Sequence, residues 1–152
     1  MNTTPPTPPA TAGPIRILIV DDNGDFRATL ANYLARQPDL ELAGQAASAS
    51  ETLRLVRKQR PDLVLLDYSM PGGNGAEVCR AIKGLPSAPK VIMVTMFEGK
   101  QFRDLSVRAG ADGFITKIEL CTELPPTIAK LFPPQESEIT PDRPVPAGRI
   151  PE

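Results

Sequence analysis

Between residues 15 and 132 the sequence alternates two hydrophobic periodicities, and few folds accommodate that alternation. Continuous apolar runs bounded by turn residues occur at Ile15–Val20, Leu63–Leu66 and Val91–Val94, with a shorter one at Phe114–Ile115 and a more mixed one at Leu40–Ala47. Runs of this kind predict strands covered on both faces, as in a parallel sheet. Between them, apolar residues recur at helical spacing. Phe26, Leu30, Tyr33 and Leu34 share one face of a first helix, and residues 49–59 supply a second. Val78, Ile82 and Leu85 mark a third, Phe102, Leu105 and Ala109 a fourth, and Leu124, Ile128 and Leu131 a fifth. Pro125 and Pro126 suit the first turn of a last helix beginning near Thr122, where the missing N–H has no intrahelical partner anyway.

Five βα units in succession, joined by short right-handed crossovers, predict an α/β fold: a (βα)5, flavodoxin-like, doubly wound parallel sheet with strand order 2-1-3-4-5. In that order the winding reverses between strands 1 and 3, so any ligand crevice lies at their carboxyl ends. Proline marks the limits of the unit. Of 18 prolines, five fall in residues 1–14 and six in residues 133–152, leaving seven for the 118 residues between. The expected organisation is a disordered Pro/Thr-rich arm at 1–14, one domain at 15–132, and a Pro-rich tail or truncated linker at 133–152.

Several function classes are disfavoured at once. A formal net charge of −1 gives no electrostatic attraction to nucleic acid or anionic membrane. No run approaches the roughly 18 apolar residues of a membrane helix, and Met1–Gly13 has no apolar core, so no signal peptide is expected and the location is read as cytoplasmic. The absence of histidine removes His-based triads, His-ligated zinc and phosphohistidine chemistry on this chain. Cys79 and Cys121 lack metal-type spacing and read as small apolar helix residues in a reduced cytosol.

The crevice is where the informative residues fall. Asp21 and Asp22 end strand 1, and Asp67 ends strand 3. Adjacent strands lie about 4.8 Å apart, so three carboxylates converge on one small volume and call for neutralisation. A hard divalent cation with oxygen ligands answers that need, and Mg²⁺ fits best. Helix-capping aspartates are the competing explanation; they account for Asp22 alone but poorly for two acidic strand ends at the switch point. Thr95 closes strand 4 and Lys117 closes strand 5. A hydroxyl and a lysine are suited to hold the oxygens of a phosphoryl group on Asp67. Taken singly each has an ordinary structural reading; the ordered set of four strand ends does not.

The segments Ile17-Leu-Ile-Val-Asp-Asp-Asn23, Leu63-Val-Leu-Leu-Asp-Tyr-Ser-Met-Pro-Gly-Gly-Asn-Gly75, Val91-Ile-Met-Val-Thr95 and Ala109-Gly-Ala-Asp-Gly-Phe-Ile-Thr-Lys117 resemble the response regulator receiver family. The resemblance covers about residues 15–132. Gly44 in strand 2 and the Leu-Pro-Pro-Thr-Ile run of the last helix resemble the subfamily that usually carries a helix-turn-helix DNA-binding output. It implies that Asp67 is the nucleophile toward phosphohistidine of a sensor histidine kinase or phosphotransfer protein, or toward a small phosphodonor. It implies that Asp22 holds Mg²⁺ directly and Asp21 through water, with Asp67 and the backbone carbonyl of Ser69 completing the protein ligands. It further implies self-catalysed hydrolysis of the aspartyl phosphate. Thr95 and Phe114 would form a switch pair, with Phe114 turning inward as Thr95 moves toward the phosphoryl group, altering the face made by helix 4, strand 5 and helix 5. Dimerisation of the phosphorylated form is an open second mode of output.

Two positions depart from the family pattern. Ile118 stands where proline is usual, and a cis bond to a non-proline residue costs about 2.5–4 kcal/mol, so a trans bond or visible strain is expected. Met96 replaces a small residue beside Thr95 and is expected to narrow access to Asp67. Phe97 and Ser69 are expected tuners of hydrolysis. These departures motivate a second reading, a pseudo-receiver acting as a phosphorylation-independent interaction module. Twenty residues follow Phe132, several times fewer than a helix-turn-helix module needs, so this chain itself is not expected to bind DNA by that route. An FMN protein and an aspartyl phosphatase fit less well: the first strand–helix turn lacks a phosphate-cradling loop, and the second residue after Asp67 is Ser69.

Overall fold

The computed structural model describes residues 13–70, 73–96 and 99–133. The chain order is β1 (Ile15–Val20), α1 (Gly24–Ala35), β2 (Leu40–Ala46), α2 (Ala49–Gln59), β3 (Leu63–Asp67), α3 (Gly75–Lys83), β4 (Lys90–Thr95), α4 (Lys100–Arg108), β5 (Gly113–Thr116) and α5 (Leu120–Leu131). A two-residue antiparallel ladder, Ser69–Met70 with Gly73–Asn74, sits between β3 and α3. The five principal strands form one parallel sheet in the order β2-β1-β3-β4-β5. This is the doubly wound arrangement expected from the alternating periodicities.

Register decides what meets at the sheet's carboxyl edge. Val20 pairs with Leu66, Asp67 with Val94, and Thr95 with Thr116. The strands therefore end nearly level, and the residues just beyond them share one rim. β1 and β2 slip by one residue between Ile17 and Leu18, which leaves Ala43 without a partner before Gly44 pairs with Leu18. An extra residue of this type bends the strand locally.

Alternation along the strands divides the core. Leu18, Val20, Val64, Leu66, Val91 and Met93 pack on the side of α2, α3 and α4, together with Cys79 and Ala109. Ile17, Ile19, Leu63, Leu65, Ile92, Val94 and Ile115 pack on the other side, with Leu30 and Leu34 of α1 and Leu120, Leu124 and Ile128 of α5. Every residue of β3 is buried, as the central strand of such a sheet requires. Burying each of these large side chains stabilises the fold by about 1.5–3 kcal/mol.

Local chemistry fixes the helix starts. Asn23, Ser48 and Asn74 each accept a hydrogen bond from a backbone N–H three residues on, at Phe26, Glu51 and Glu77. Ser48 and Glu51 form a reciprocal box, since the Glu51 carboxylate accepts from the Ala47 N–H at 2.9 Å.

Two expectations need correction. The last helix starts at Leu120 rather than near Thr122, so Pro125 and Pro126 lie in its second turn. Leu120, Leu124 and Ile128 form a stripe at i, i+4 and i+8 that draws the extra turn onto the sheet, while both prolines are exposed. The carbonyls of Cys121 and Thr122, deprived of their usual donors, lie on that exposed face, where water can serve them. In α4 the buried position is Ser106, and Leu105 is exposed. The Ser106 hydroxyl donates to the Phe102 carbonyl at 2.8 Å, so a polar residue is satisfied where an apolar one was expected. Cys79 and Cys121 both lie in helices as read, Cys79 buried with its thiol pushed up to about 11 by burial and Cys121 exposed. Among the described residues no helix is long and apolar enough to cross a membrane.

Candidate functional site

Residue parity sorts the rim. Asp21 continues the Ile17, Ile19 set, Asp67 continues Leu63, Leu65, and Lys117 continues Ile115, so all three belong to the α1 and α5 side of the sheet. Thr95 follows the parity of Val91 and Met93, and Thr116 that of Phe114, so these belong to the α2–α4 side.

Asp21 is 1% exposed. Its Oδ1 accepts the Asn23 N–H at 2.8 Å, and its backbone carbonyl accepts from Arg27, whose guanidinium also donates to Gln45. Its Oδ2 lies 2.6 Å from the Lys117 ammonium, in a direction unsuited to a hydrogen bond, so the pairing is one of charge. Asp67 is 5% exposed. Its Oδ1 accepts the Ser69 N–H at 3.2 Å, and its Oδ2 is 3.8 Å from the same ammonium. One oxygen from each of Asp21, Asp22 and Asp67 lies within 4.8 Å of the others.

Electrostatics follow from that crowding. Burial raises the Asp67 carboxyl from 3.8 to about 6; the Asp21 anion adds to the rise, Lys117 and the Ser69 N–H oppose it, and Asp22 adds a little. One ammonium is thus shared by two buried carboxylates, with a third carboxylate exposed beside them. The set is all oxygen, under-neutralised and open at Asp22, which fits a hard dication such as Mg²⁺.

The close approach of α3 shapes the site. A Cβ on Gly75 would stand 2.5 Å from the Asp67 carbonyl oxygen and 2.7 Å from the Tyr68 Cα. The Gly75 N–H donates to the Tyr68 carbonyl at 2.6 Å. Only glycine permits the helix start to press this near the strand end.

Thr95 is buried at the end of β4, and its carbonyl accepts the Lys117 N–H at 2.7 Å. Main chain therefore ties the expected hydroxyl and ammonium to each other. Phe114 is half-buried on β5 with the Arg103 guanidinium 4.9 Å above its ring. Both help line a cavity of about 390 Å³ between α4 and β5, with Gly99, Lys100, Thr116 and Glu119. Met96 and Ile118 are 64% and 84% exposed. There is no cis peptide bond among the described residues, so the Lys117–Ile118 bond is trans, one of the two outcomes expected. Ser69 lies in the short ladder directly after Asp67 and Tyr68. Phe97 lies outside the described residues.

The structure brings together Asp21, Asp22, Asp67 and Lys117, with Thr95 alongside. Sequence reading missed Phe26, whose ring lies 4.4 Å from the Lys117 ammonium. Only its helical spacing was visible, and that signalled core packing. Arg27 was also missed; an arginine in a first helical turn carries no mark of the carbonyl it will hold.

Residues 17–128 match the family described as the response regulator receiver domain. The response regulator GacA of Pseudomonas viridiflava is 36% identical over 118 residues, covering 78% of this chain and 55% of that protein. The transcriptional regulatory protein LiaR of Bacillus subtilis is 34% identical over 128 residues, covering 82% of this chain and 61% of that protein. The chain thus spans little more than half the length of these curated relatives. Among solved structures, a two-component response regulator of the LuxR family from Aurantimonas sp. SI85-9A1 superposes with a TM-score of 0.74 at 32% identity, covering 79% of this chain and 86% of that one. The response regulator domain of Thermotoga maritima CheB gives 0.71 at 30%, covering 77% and 95%.

Proposed function

The chain belongs to the response regulator receiver family, and on that premise we propose that Asp67 takes a phosphoryl group from the phosphohistidine of a sensor histidine kinase or phosphotransfer protein. The observation that carries this is the placement of a buried carboxylate, Asp67, where Asp21, Asp22 and Lys117 converge. An Asp67 carboxylate oxygen attacks phosphorus, the new O–P bond forms as the donor's N–P bond breaks, and the departing imidazole takes up a proton. The protein's contribution is positioning and charge: the Ser69 N–H fixes one Asp67 oxygen and Lys117 stands beside the other. Lys117 and the Thr95 hydroxyl then hold the phosphoryl oxygens. Asp21, Asp22, Asp67 and the Ser69 carbonyl would hold Mg²⁺, which when bound neutralises the charge gathered there. Later attack by water on phosphorus releases phosphate and restores the Asp67 carboxylate.

The output follows from the side of the sheet that Thr95 occupies. Movement of its hydroxyl toward the phosphoryl group vacates space on the α4 side, and Phe114, half-buried under Arg103, turns into it. The face of α4, β5 and α5 changes, and with it the grip on a partner, on a second copy of the receiver, or on a DNA-binding output where one is joined. We place the limits of the functional unit at residues 15 and 132, in the cytoplasm.

Intact-mass measurement after incubation with acetyl phosphate and Mg²⁺ tests the reading. The wild type is expected to gain the mass of one phosphoryl group, and Asp67→Ala none. An unmodified wild type would remove the phosphoacceptor role and leave the phosphorylation-independent interaction module in its place.

A further inference from the structure

We propose that Phe26 is a positioning residue for Lys117, its ring face seating the ammonium while the carboxylates around it change partners; this rests on the phosphoacceptor reading above. Three neighbours define where the ammonium sits: Asp21 Oδ2 at 2.6 Å, Asp67 Oδ2 at 3.8 Å and the Phe26 ring centre at 4.4 Å. Two of the three are oxygens of the acidic cluster. A dication taken up there draws on those same oxygens, so the ammonium loses much of its anionic anchorage just when it is needed at the phosphoryl group. The ring is the one neighbour of the three that a hard metal ion has no chemistry to claim. Its negative face attracts a cation, and the attraction grows where water is kept out.

The placement is built in. Phe26 lies in the first turn of α1, where its N–H is bound by the Asn23 cap, and its side chain packs against the core on the α1 and α5 side. The Lys117 side chain is 12% exposed and its main chain is bound to Thr95. Ring and ammonium are therefore each fixed from behind, and the 4.4 Å approach does not depend on a metal. A lysine with a long flexible stem gains most from such a seat, because its head group is otherwise free to follow whichever anion is nearest.

The test uses the full chain with fluorinated phenylalanines at position 26, which keep the ring's shape while draining charge from its face. The readout is beryllofluoride affinity at saturating Mg²⁺, with Mg²⁺ affinity followed separately. Affinity for beryllofluoride is expected to fall stepwise with each added fluorine, by roughly three- to tenfold across the series. Phe26→Trp should match the wild type, Phe26→Leu should fall at least as far as the most fluorinated ring, and the fall in beryllofluoride affinity should exceed any change in Mg²⁺ affinity. In a Lys117→Met background the fluorine series should flatten. A wild type that binds beryllofluoride with a flat fluorine series would overturn the proposal, reducing Phe26 to packing, as would an equal slope in the Lys117→Met background. A wild type that fails to bind beryllofluoride at all sinks the phosphoacceptor reading and this proposal with it.

Discussion

Replacing Asp67 by asparagine should make the metal-free protein more stable at neutral pH. An ordinary aspartate ionises near 3.8, and Asp67 in the folded chain only near 6, chiefly because burial penalises its anion and Asp21 repels it. Below pH 3.8 the group is protonated in both folded and unfolded chains and favours neither. As pH rises, the unfolded chain releases its proton first, and the folded state falls behind by about 1.36 kcal/mol per pH unit. Above about 6 the deficit is complete and constant, roughly 2–3 kcal/mol from that spacing. The asparagine side chain would carry no such penalty, and its amide oxygen can still accept the Ser69 N–H now held by Oδ1. Urea unfolding in EDTA, repeated from about pH 4 to 8, measures the difference between the two proteins. Asp67→Asn should gain roughly 2–3 kcal/mol near pH 7.5, or about 10 °C in Tm. The gain should shrink toward zero near pH 4. Equal stabilities at pH 7.5, or an advantage undiminished at pH 4, would refute the electrostatic account.

Further perturbations probe separate parts of the fold. Mg²⁺ added to the wild type should raise its thermal midpoint, by about 2.7 kcal/mol of stability at a hundredfold excess over Kd, and Asp22→Asn should blunt the response in a thermal titration. Gly75→Ala forces a Cβ to within 2.5 Å of the Asp67 carbonyl and should cost roughly 1–3 kcal/mol by denaturant unfolding. Gly84→Ala, whose nearest atoms are 3.6 Å away, should stay within about 0.5 kcal/mol of wild type. Asp112→Ala removes the acceptor shared by the Lys83 ammonium and the Val91 N–H, both at 2.9 Å, and should cost about 1–3 kcal/mol while leaving acetyl phosphate labelling intact.

Strands and their order were legible because the signal was contiguous: an apolar run such as Leu63–Leu66 can hardly be placed anywhere but a covered central strand. That order also placed the candidate residues together, since Asp21, Asp67, Thr95 and Lys117 stand at strand ends whose register is nearly level. What stayed hidden depended on contacts between elements far apart in sequence. Phe26 and Lys117 meet only because α1 and β5 flank the same rim. Ser106 is buried in place of Leu105 because a hydroxyl can satisfy itself on the preceding turn, which hydrophobic periodicity does not register. The start of α5 was misplaced because the prolines spoke for a boundary while Leu120, two residues earlier, was drawn into the core.

The odd–even alternation of the strands has a consequence for how such a protein can be modified. The carboxylates and the lysine hang from one layer of packing, with α1 and α5 behind them; the threonine and the aromatic hang from the other, with α4 behind them. The acidic cluster with its lysine and the threonine–aromatic pair therefore have different supporting walls. On the phosphoacceptor reading, substitutions behind α1 bear first on the carboxylates and the lysine, and those behind α4 first on Thr95 and Phe114. A single sheet, by facing two ways, gives the two groups separate backing while their main chains meet at Thr95 and Lys117.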